Sequence, residues 1–343
     1  MSPTLVDLLR HPPARVSLGS FPSPVEDHPV LARALGAASL LVKREDRNGA
    51  RVGGNKLRAL EWILPAAGTS LVSMGGYGST WCAALALASE SLGRRVCAAL
   101  FPQPWTDLVA ATLGCTLEHA EVRLARSRAH LPWAIAGAWR TARRHGAVTW
   151  IPAGGATPLG VLGTVNAALE FAEQVRGVEP VDAIVVPLGS GGTAAGLLIG
   201  MWIVGWPVQV CAVRVTDPWF ANRRRLMRLV ERTRKLLERL GLEVVRGSAT
   251  LRVIGDQLGS GYGHATEAGR VARARFADAG IPVDLTYGAK ACAALGPLAC
   301  SFPHICLWHT FDPRLASRAL GEHPQLRAAR RYAESLWPHP RSI

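Results

Sequence analysis

Residues 181–201 read VDAIVVPLGSGGTAAGLLIGM, and this stretch decides the fold class. Its opening run, VDAIVVPL, is almost wholly apolar, as expected of a strand buried on both faces. The loop Gly189-Ser190-Gly191-Gly192-Thr193 follows directly, and the apolar run AAGLLIGM after it reads as a helix. Strand, glycine loop and helix in that order are the unit of a parallel sheet covered by helices. Such a loop points backbone N–H groups and the positive helix end at a phosphate, and Thr193 adds a hydroxyl donor. No GK[ST] follows, so it is not a Walker loop; it also fails GxGxxG and lacks an acidic ribose partner. Taken alone, a glycine-rich turn of this kind is as often structural as functional.

Working outward, the same alternation continues along the chain. Strands are predicted at 39–43, 70–74, 95–100, 147–151, 183–188, 208–215 and 304–308. Helices are predicted at 56–66, 80–92, 129–144, 160–175, 193–202, 220–240, 267–278 and 290–299. The expected organisation is a large domain from 1–62 and 153–343, with a small α/β domain at 63–152. Clefts at the carboxyl ends of such strands are where small ligands usually bind.

Composition narrows the function classes. The net charge of +14 invites a nucleic-acid reading, but its dense run, NRRRLMRLVERTRKLLERLGL, carries leucines and valine at helical spacing. The arginines there read as the solvated face of an amphipathic helix, and no nucleic-acid module accompanies them. The seven cysteines are odd in number, form no CxxC pair and mostly sit in apolar runs. They read as small buried hydrophobes of a reducing, cytoplasmic protein. Residues 194–206 are the most membrane-like run, yet too short to span and interrupted by Gly196, Gly200 and Gly205. No HxxxH or HExxH pair suggests a metal site.

A second feature makes the glycine loop specific. Of thirty-nine basic residues only Lys43, Lys56, Lys235 and Lys290 are lysine, and Lys56 closes the run Gly53-Gly54-Asn55-Lys56. Arginine is never deprotonated in a protein, whereas a partly desolvated lysine becomes a neutral nucleophile able to form a Schiff base. A solvated lysine at a helix start is the plainer reading; the neighbouring loops weigh against it. Gly75-Gly76-Tyr77-Gly78-Ser79-Thr80 is another strand-to-helix turn, whose N–H groups and Ser79 hydroxyl suit a carboxylate, although Ser79 is equally an N-cap. Tyr262, between Gly261 and Gly263, and Tyr287, before Gly288, suit ring stacking or proton donation, with packing an equal competitor.

These residues carry a family likeness. KREDRNGARVGGNKLRALEWILPAA, MGGYGST, IPAGGATPLGVLGTVNAALEF, VVPLGSGGTAAGLLIG, GYGHAT, DLTYGAK and LWHT resemble, in order, segments of the D-cysteine desulfhydrase and 1-aminocyclopropane-1-carboxylate deaminase family. The resemblance runs from about residue 41 to residue 310. It implies fold-type II pyridoxal-phosphate enzymes of the tryptophan synthase β-like group: two three-layer αβα domains with mostly parallel twisted sheets. It also implies pyridoxal 5'-phosphate as cofactor, a small amino acid as substrate and a homodimer.

Carried over residue by residue, the resemblance makes Lys56 the Schiff-base lysine and puts Asn55 beside the cofactor. Gly189, Ser190, Gly191, Gly192 and Thr193 become the phosphate cup, with Thr310 retained from the family's HTGG run. Ser79 matches the serine near the substrate carboxylate or reacting carbon, and Tyr287 and Tyr262 match active-site tyrosines. The departures are Thr80-Trp81 for Asn-His, Gly288 for a glutamate or threonine, and Phe311-Asp312 for two glycines. The implied reaction is a lyase or deaminase step, a D-cysteine desulfhydrase-like β-elimination giving a 2-oxo acid and ammonia. Cyclopropane ring opening, amino-acid racemisation and a catalytically impaired cofactor-binding relative are the alternatives. Gly288 counts against ring opening, because it supplies no carboxylate for the pyridine nitrogen.

Overall fold

The computed structural model describes residues 4–49, 53–177, 181–312, 314 and 323–338. Residues 50–52 of the lysine segment lie outside them. In chain order the first elements are α1 (Leu5–Leu8), β1 (Val25–Asp27), α2 (Pro29–Leu35), β2 (Ser39–Arg44) and α3 (Lys56–Ile63). Then come β3 (Ser70–Gly76), α4 (Thr80–Glu90), β4 (Arg95–Phe101), α5 (Asp107–His119), β5 (Glu121–Leu124), α6 (Leu131–Ala142) and β6 (Val148–Trp150). The chain continues through α7 (Pro158–Gln174), β7 (Ala183–Leu188), α8 (Gly192–Val204), β8 (Gln209–Arg214), α9 (Arg223–Arg239) and β9 (Thr250–Ile254). It closes with α10 (Glu267–Asp278), α11 (Gly288–Ala293), α12 (Leu295–Ala299), β10 (His304–His309) and α13 (Pro324–Leu336).

Two compact units emerge. The first comprises Met1–Pro65 with Ala156–Asp312, and the second Ala66–Gly155 with Pro313–Ile343. Helix α13 groups with the second unit; the sequence reading places those residues in the large domain.

The first unit is built on a six-stranded sheet of order β1-β2-β10-β7-β8-β9. Only the β1–β2 pair is antiparallel; the other pairs run parallel. Alternation along β7 shows why both faces are covered. Ile184 and Val186 join a core with α7, α8 and α9, while Ala183 and Val185 join one with α2, α10, α11 and α12. Helix α8 is apolar all round and buried from Ala194 to Trp202, so the most membrane-like run is a core helix. Among the described residues no helix is long and apolar enough to cross a membrane. Helix α9 buries Leu226, Leu229, Val230, Thr233 and Leu237, and leaves Arg224, Arg228, Arg232 and Arg239 exposed.

Close helix packing sets the frame around the lysine helix. A Cβ on Gly163 of α7 would lie 2.0 Å from the Arg58 carbonyl oxygen of α3. On α8, a Cβ at Gly196 would meet Thr164 at 2.5 Å, and one at Gly200 would meet Ala168 at 2.3 Å. The glycines therefore let three helices touch backbone to backbone. Arg58 also closes a buried charge cluster: its guanidinium donates to Glu45 at 2.6 and 2.9 Å and to Glu170 at 3.0 and 2.9 Å. The rare lysine Lys43 belongs to this cluster, donating to Glu170, to Gln174 at 2.5 Å and to the Ser23 carbonyl at 2.8 Å.

The second unit has a four-stranded parallel sheet of order β5-β4-β3-β6. Val72, Cys97 and Ala99 pack on α6, and the opposite face carries α4. All seven cysteines are free thiols; six are buried and Cys300 is exposed.

Candidate active site

In the first unit two loops meet. The glycine loop passes from β7 into α8 with Gly191 at φ +92°, a left-handed conformation that side chains rarely adopt. The 13-residue helix behind it directs its positive end to the same loop. The lysine loop arrives from the end of β2. Gly54 takes φ +93°, and a Cβ there would lie 2.9 Å from the carbonyl oxygen of Thr310. Thr310 therefore contributes a backbone wall against the lysine loop.

A hydrogen-bonded run joins the loops. The Lys56 amine donates to Asn55 Oδ1 at 2.6 Å, and Asn55 Nδ2 donates to the Thr193 hydroxyl at 2.7 Å. Desolvation brings the pKa of Lys56 down to about 8, with the nearby charge of Asp284 partly opposing it. The amine is thus poised to become neutral close to physiological pH, unlike a solvated lysine.

The tyrosines also come together. Their hydroxyls lie 2.5 Å apart, and the rings meet edge on at 5.9 Å between centroids. Tyr287 caps α11 from a turn organised by Asp284, whose buried carboxylate accepts from the backbone N–H groups of Thr286, Tyr287 and Gly288 at 2.9, 2.7 and 2.9 Å. Burial raises the pKa of Asp284, while those backbone bonds pull it the other way.

Ser79 belongs to the second unit. It is the N-cap of α4, its side chain accepting from the Cys82 N–H at 3.3 Å. The N-cap reading of this serine is therefore realised. A Cβ on Gly75 would fall 2.4 Å from Ser79 Oγ, so the glycine of the preceding strand makes room for the cap.

Three of the departing residues have a local physical account. Trp81 is buried, and its indole N–H donates to Ser73 Oγ at 2.9 Å inside the second unit. A Cβ at Gly288 would come within 3.2 Å of Val283 and 3.3 Å of the Asp284 carboxylate, so a larger residue has little room. Asp312 accepts a hydrogen bond from the Gly53 N–H and clamps the lysine loop against the end of β10. Sequence reasoning assigned no contact to Asp284 or Asp312, nor to Lys290, whose ammonium donates to the Leu258 and Gly261 carbonyls beside Tyr262. The scarcity of lysine was a signal for Lys290; the acidic side chains carried no signal beyond lying near glycine turns.

The donor set fits pyridoxal phosphate: a glycine loop at a helix N-terminus for the phosphate, and the desolvated Lys56 amine for the aldehyde. A profile described as pyridoxal-phosphate dependent enzyme matches residues 16–303. The chain belongs to this family. It is similar to the nocardicin C-9' epimerase of Nocardia uniformis subsp. tsuyamanensis, with 35% identity covering 88% of this chain and 94% of that protein. It is similar to the D-cysteine desulfhydrase of Klebsiella pneumoniae, at 28% identity over 85% and 90% of the two chains. Among solved structures, an ACC deaminase homologue superposes with a TM-score of 0.74 at 28% identity, covering 90% of this chain and 95% of that one. The fold is that of the fold-type II enzymes, and the protein is a pyridoxal-phosphate-dependent enzyme.

Proposed function

We propose that this pyridoxal-phosphate-dependent enzyme is a lyase/deaminase of D-cysteine desulfhydrase type. It removes the Cα proton of a small amino acid and expels a β-substituent, and hydrolysis of the released enamine by water yields a 2-oxo acid and ammonia. The observation that carries this reading is the Lys56–Asn55–Thr193 run, which connects a desolvated amine to a phosphate-type loop through two hydrogen bonds. Pyridoxal phosphate, when bound, supplies the electron sink for the charge left on Cα.

The chain's own residues divide the remaining work. With the cofactor bound, Gly189 to Thr193 would hold its phosphate and Lys56 its aldehyde end, with Asn55 orienting Lys56. The Lys56 amine would take the proton from Cα, and its pKa of about 8 suits that task near neutral pH. Tyr262 and Tyr287 hold and return a proton through their shared hydrogen bond. Ser79 is assigned to the substrate carboxylate. Gly288 offers no carboxylate to a ring nitrogen, which disfavours cyclopropane ring opening.

A second reading is Cα epimerisation, favoured by the 35% identical relative named as an epimerase. Both readings begin with removal of the Cα proton. They part on whether a leaving group departs or a proton returns. A cytoplasmic homodimer is part of the same proposal.

The test is a screen of D- and L-amino acids with purified holoenzyme. Release of ammonia and 2-oxo acid supports the lyase. Solvent deuterium appearing at Cα with inversion and no ammonia supports the epimerase. Neither signal with any amino acid, while the protein holds the cofactor, would defeat both readings.

A further inference from the structure

We propose that Asp284 and Lys290 are positioning residues that hold the Tyr262 and Tyr287 hydroxyls together as one proton-sharing pair. The proposal rests on the enzymatic reading above only for the use to which the pair is put.

Lys290 is wholly buried, and its ammonium donates to the carbonyls of Leu258 at 2.8 Å and Gly261 at 3.0 Å. Burying an ammonium is costly unless it gains strong partners, so an apolar residue would serve packing better. The segment it holds explains its presence. Gly259, Gly261 and Gly263 take φ of +62°, +124° and +83°, and Tyr262 sits among them. Glycines in such conformations lose more conformational freedom on ordering than any other residue. Two carbonyl bonds from one rigidly buried cation hold this otherwise loose segment in place.

Asp284 does the same for the other tyrosine. Its three backbone hydrogen bonds fix the turn from which Tyr287 projects. Its charge also acts on Lys290, partly opposing the desolvation that brings that lysine to about 8. One carboxylate and one ammonium thus fix the two ends of a 2.5 Å hydroxyl contact. Proton transfer depends steeply on such separations, and displacement by about 1 Å costs on the order of a hundredfold in rate.

The experiment has two arms. In cofactor-free protein, hydrogen exchange of residues 258–263 is compared between wild type and Lys290→Met, with Lys290→Arg as a charge-retaining second variant. We expect faster exchange confined to that segment, which requires no reaction to be known. In the loaded enzyme a double-mutant cycle combines Lys290→Met with Tyr262→Phe, and Asp284→Asn with Tyr287→Phe. We expect each positioning variant to lower kcat by about tenfold or more with little change in KM, and to have almost no further effect once its tyrosine is phenylalanine. Unaltered exchange at 258–263 in both Lys290 variants would overturn the proposal. So would kcat losses that multiply independently in the double variants.

Discussion

Asn55 donates its side-chain amide to the Thr193 hydroxyl across 2.7 Å, tying the lysine loop to the phosphate-type loop. The same side chain accepts from Lys56, so one amide sets the position of the desolvated amine relative to the glycine loop.

Removing that amide should loosen the cofactor. Asn55→Ala loses both bonds, and a net hydrogen bond contributes about 0.5–1.5 kcal/mol. We expect pyridoxal phosphate to bind roughly twofold to twelvefold more weakly per bond lost, read by titrating cofactor absorbance. Unchanged affinity would detach Asn55 from the cofactor.

The Lys56 amine should react as its environment dictates. Desolvation lowers its pKa to about 8 from 10.5, so the neutral, nucleophilic fraction grows as pH rises through about 8. At pH 7 that fraction is about 10%, against roughly 0.03% for an ordinary lysine. The rate at which apo-protein takes up pyridoxal phosphate should therefore rise with a midpoint near pH 8. A midpoint close to the ordinary lysine value would refute the desolvated site.

Glycine substitutions should change stability with opposite signs according to space. Gly196→Ala and Gly200→Ala place a methyl within 2.5 and 2.3 Å of α7 atoms. Overpacking of that kind costs about 1–3 kcal/mol, more than the ~1 kcal/mol gained in helix propensity. Gly137 on α6 has nothing nearer than 3.9 Å, so Gly137→Ala should stabilise by up to about 1 kcal/mol. Urea midpoints read both signs.

The buried charge cluster should be fragile on one side. Arg58→Met removes the guanidinium that bridges Glu45 and Glu170 and leaves Lys43 as their remaining cation, a change worth about 3–5 kcal/mol. Burial opposes ionisation of Glu45, but Arg58 and its other partners hold the pKa below the ordinary 4.5. Its stabilisation is therefore present above that value and lost as pH falls through the folded pKa. The gap between wild type and variant in denaturation midpoint should narrow on acidification.

Much of this architecture was legible because buried parallel strands and glycine turns leave strong local signatures. The strand 183–188 and the helix 267–278 coincide with β7 and α10. Helix α5 escaped because DLVAATLGCTLEH mixes Gly114 with β-branched residues, and tertiary burial of Leu113 and Leu117 holds it. Strand β9 escaped because it is a partly exposed edge with no continuous apolar run. At the site, Lys56 stood out by its rarity and the cup by its glycines. The Asp312–Gly53 and Asp284 contacts did not, because a carboxylate that binds backbone N–H groups has no sequence pattern. The meaning of Trp81 depended on its bond to Ser73, a partner eight positions back that only the packing of α4 on β3 reveals.

The central claim is that Lys56, and no other amine, bonds the cofactor. Lys290 is the informative rival, since desolvation brings it also to about 8. The direct measurement is borohydride reduction of the protein loaded with pyridoxal phosphate, followed by peptide mapping by mass spectrometry. We expect the cofactor-derived mass on the peptide containing Lys56, and none on Lys56→Ala protein that remains folded. Label on Lys290 instead, or full labelling of Lys56→Ala, would contradict that claim.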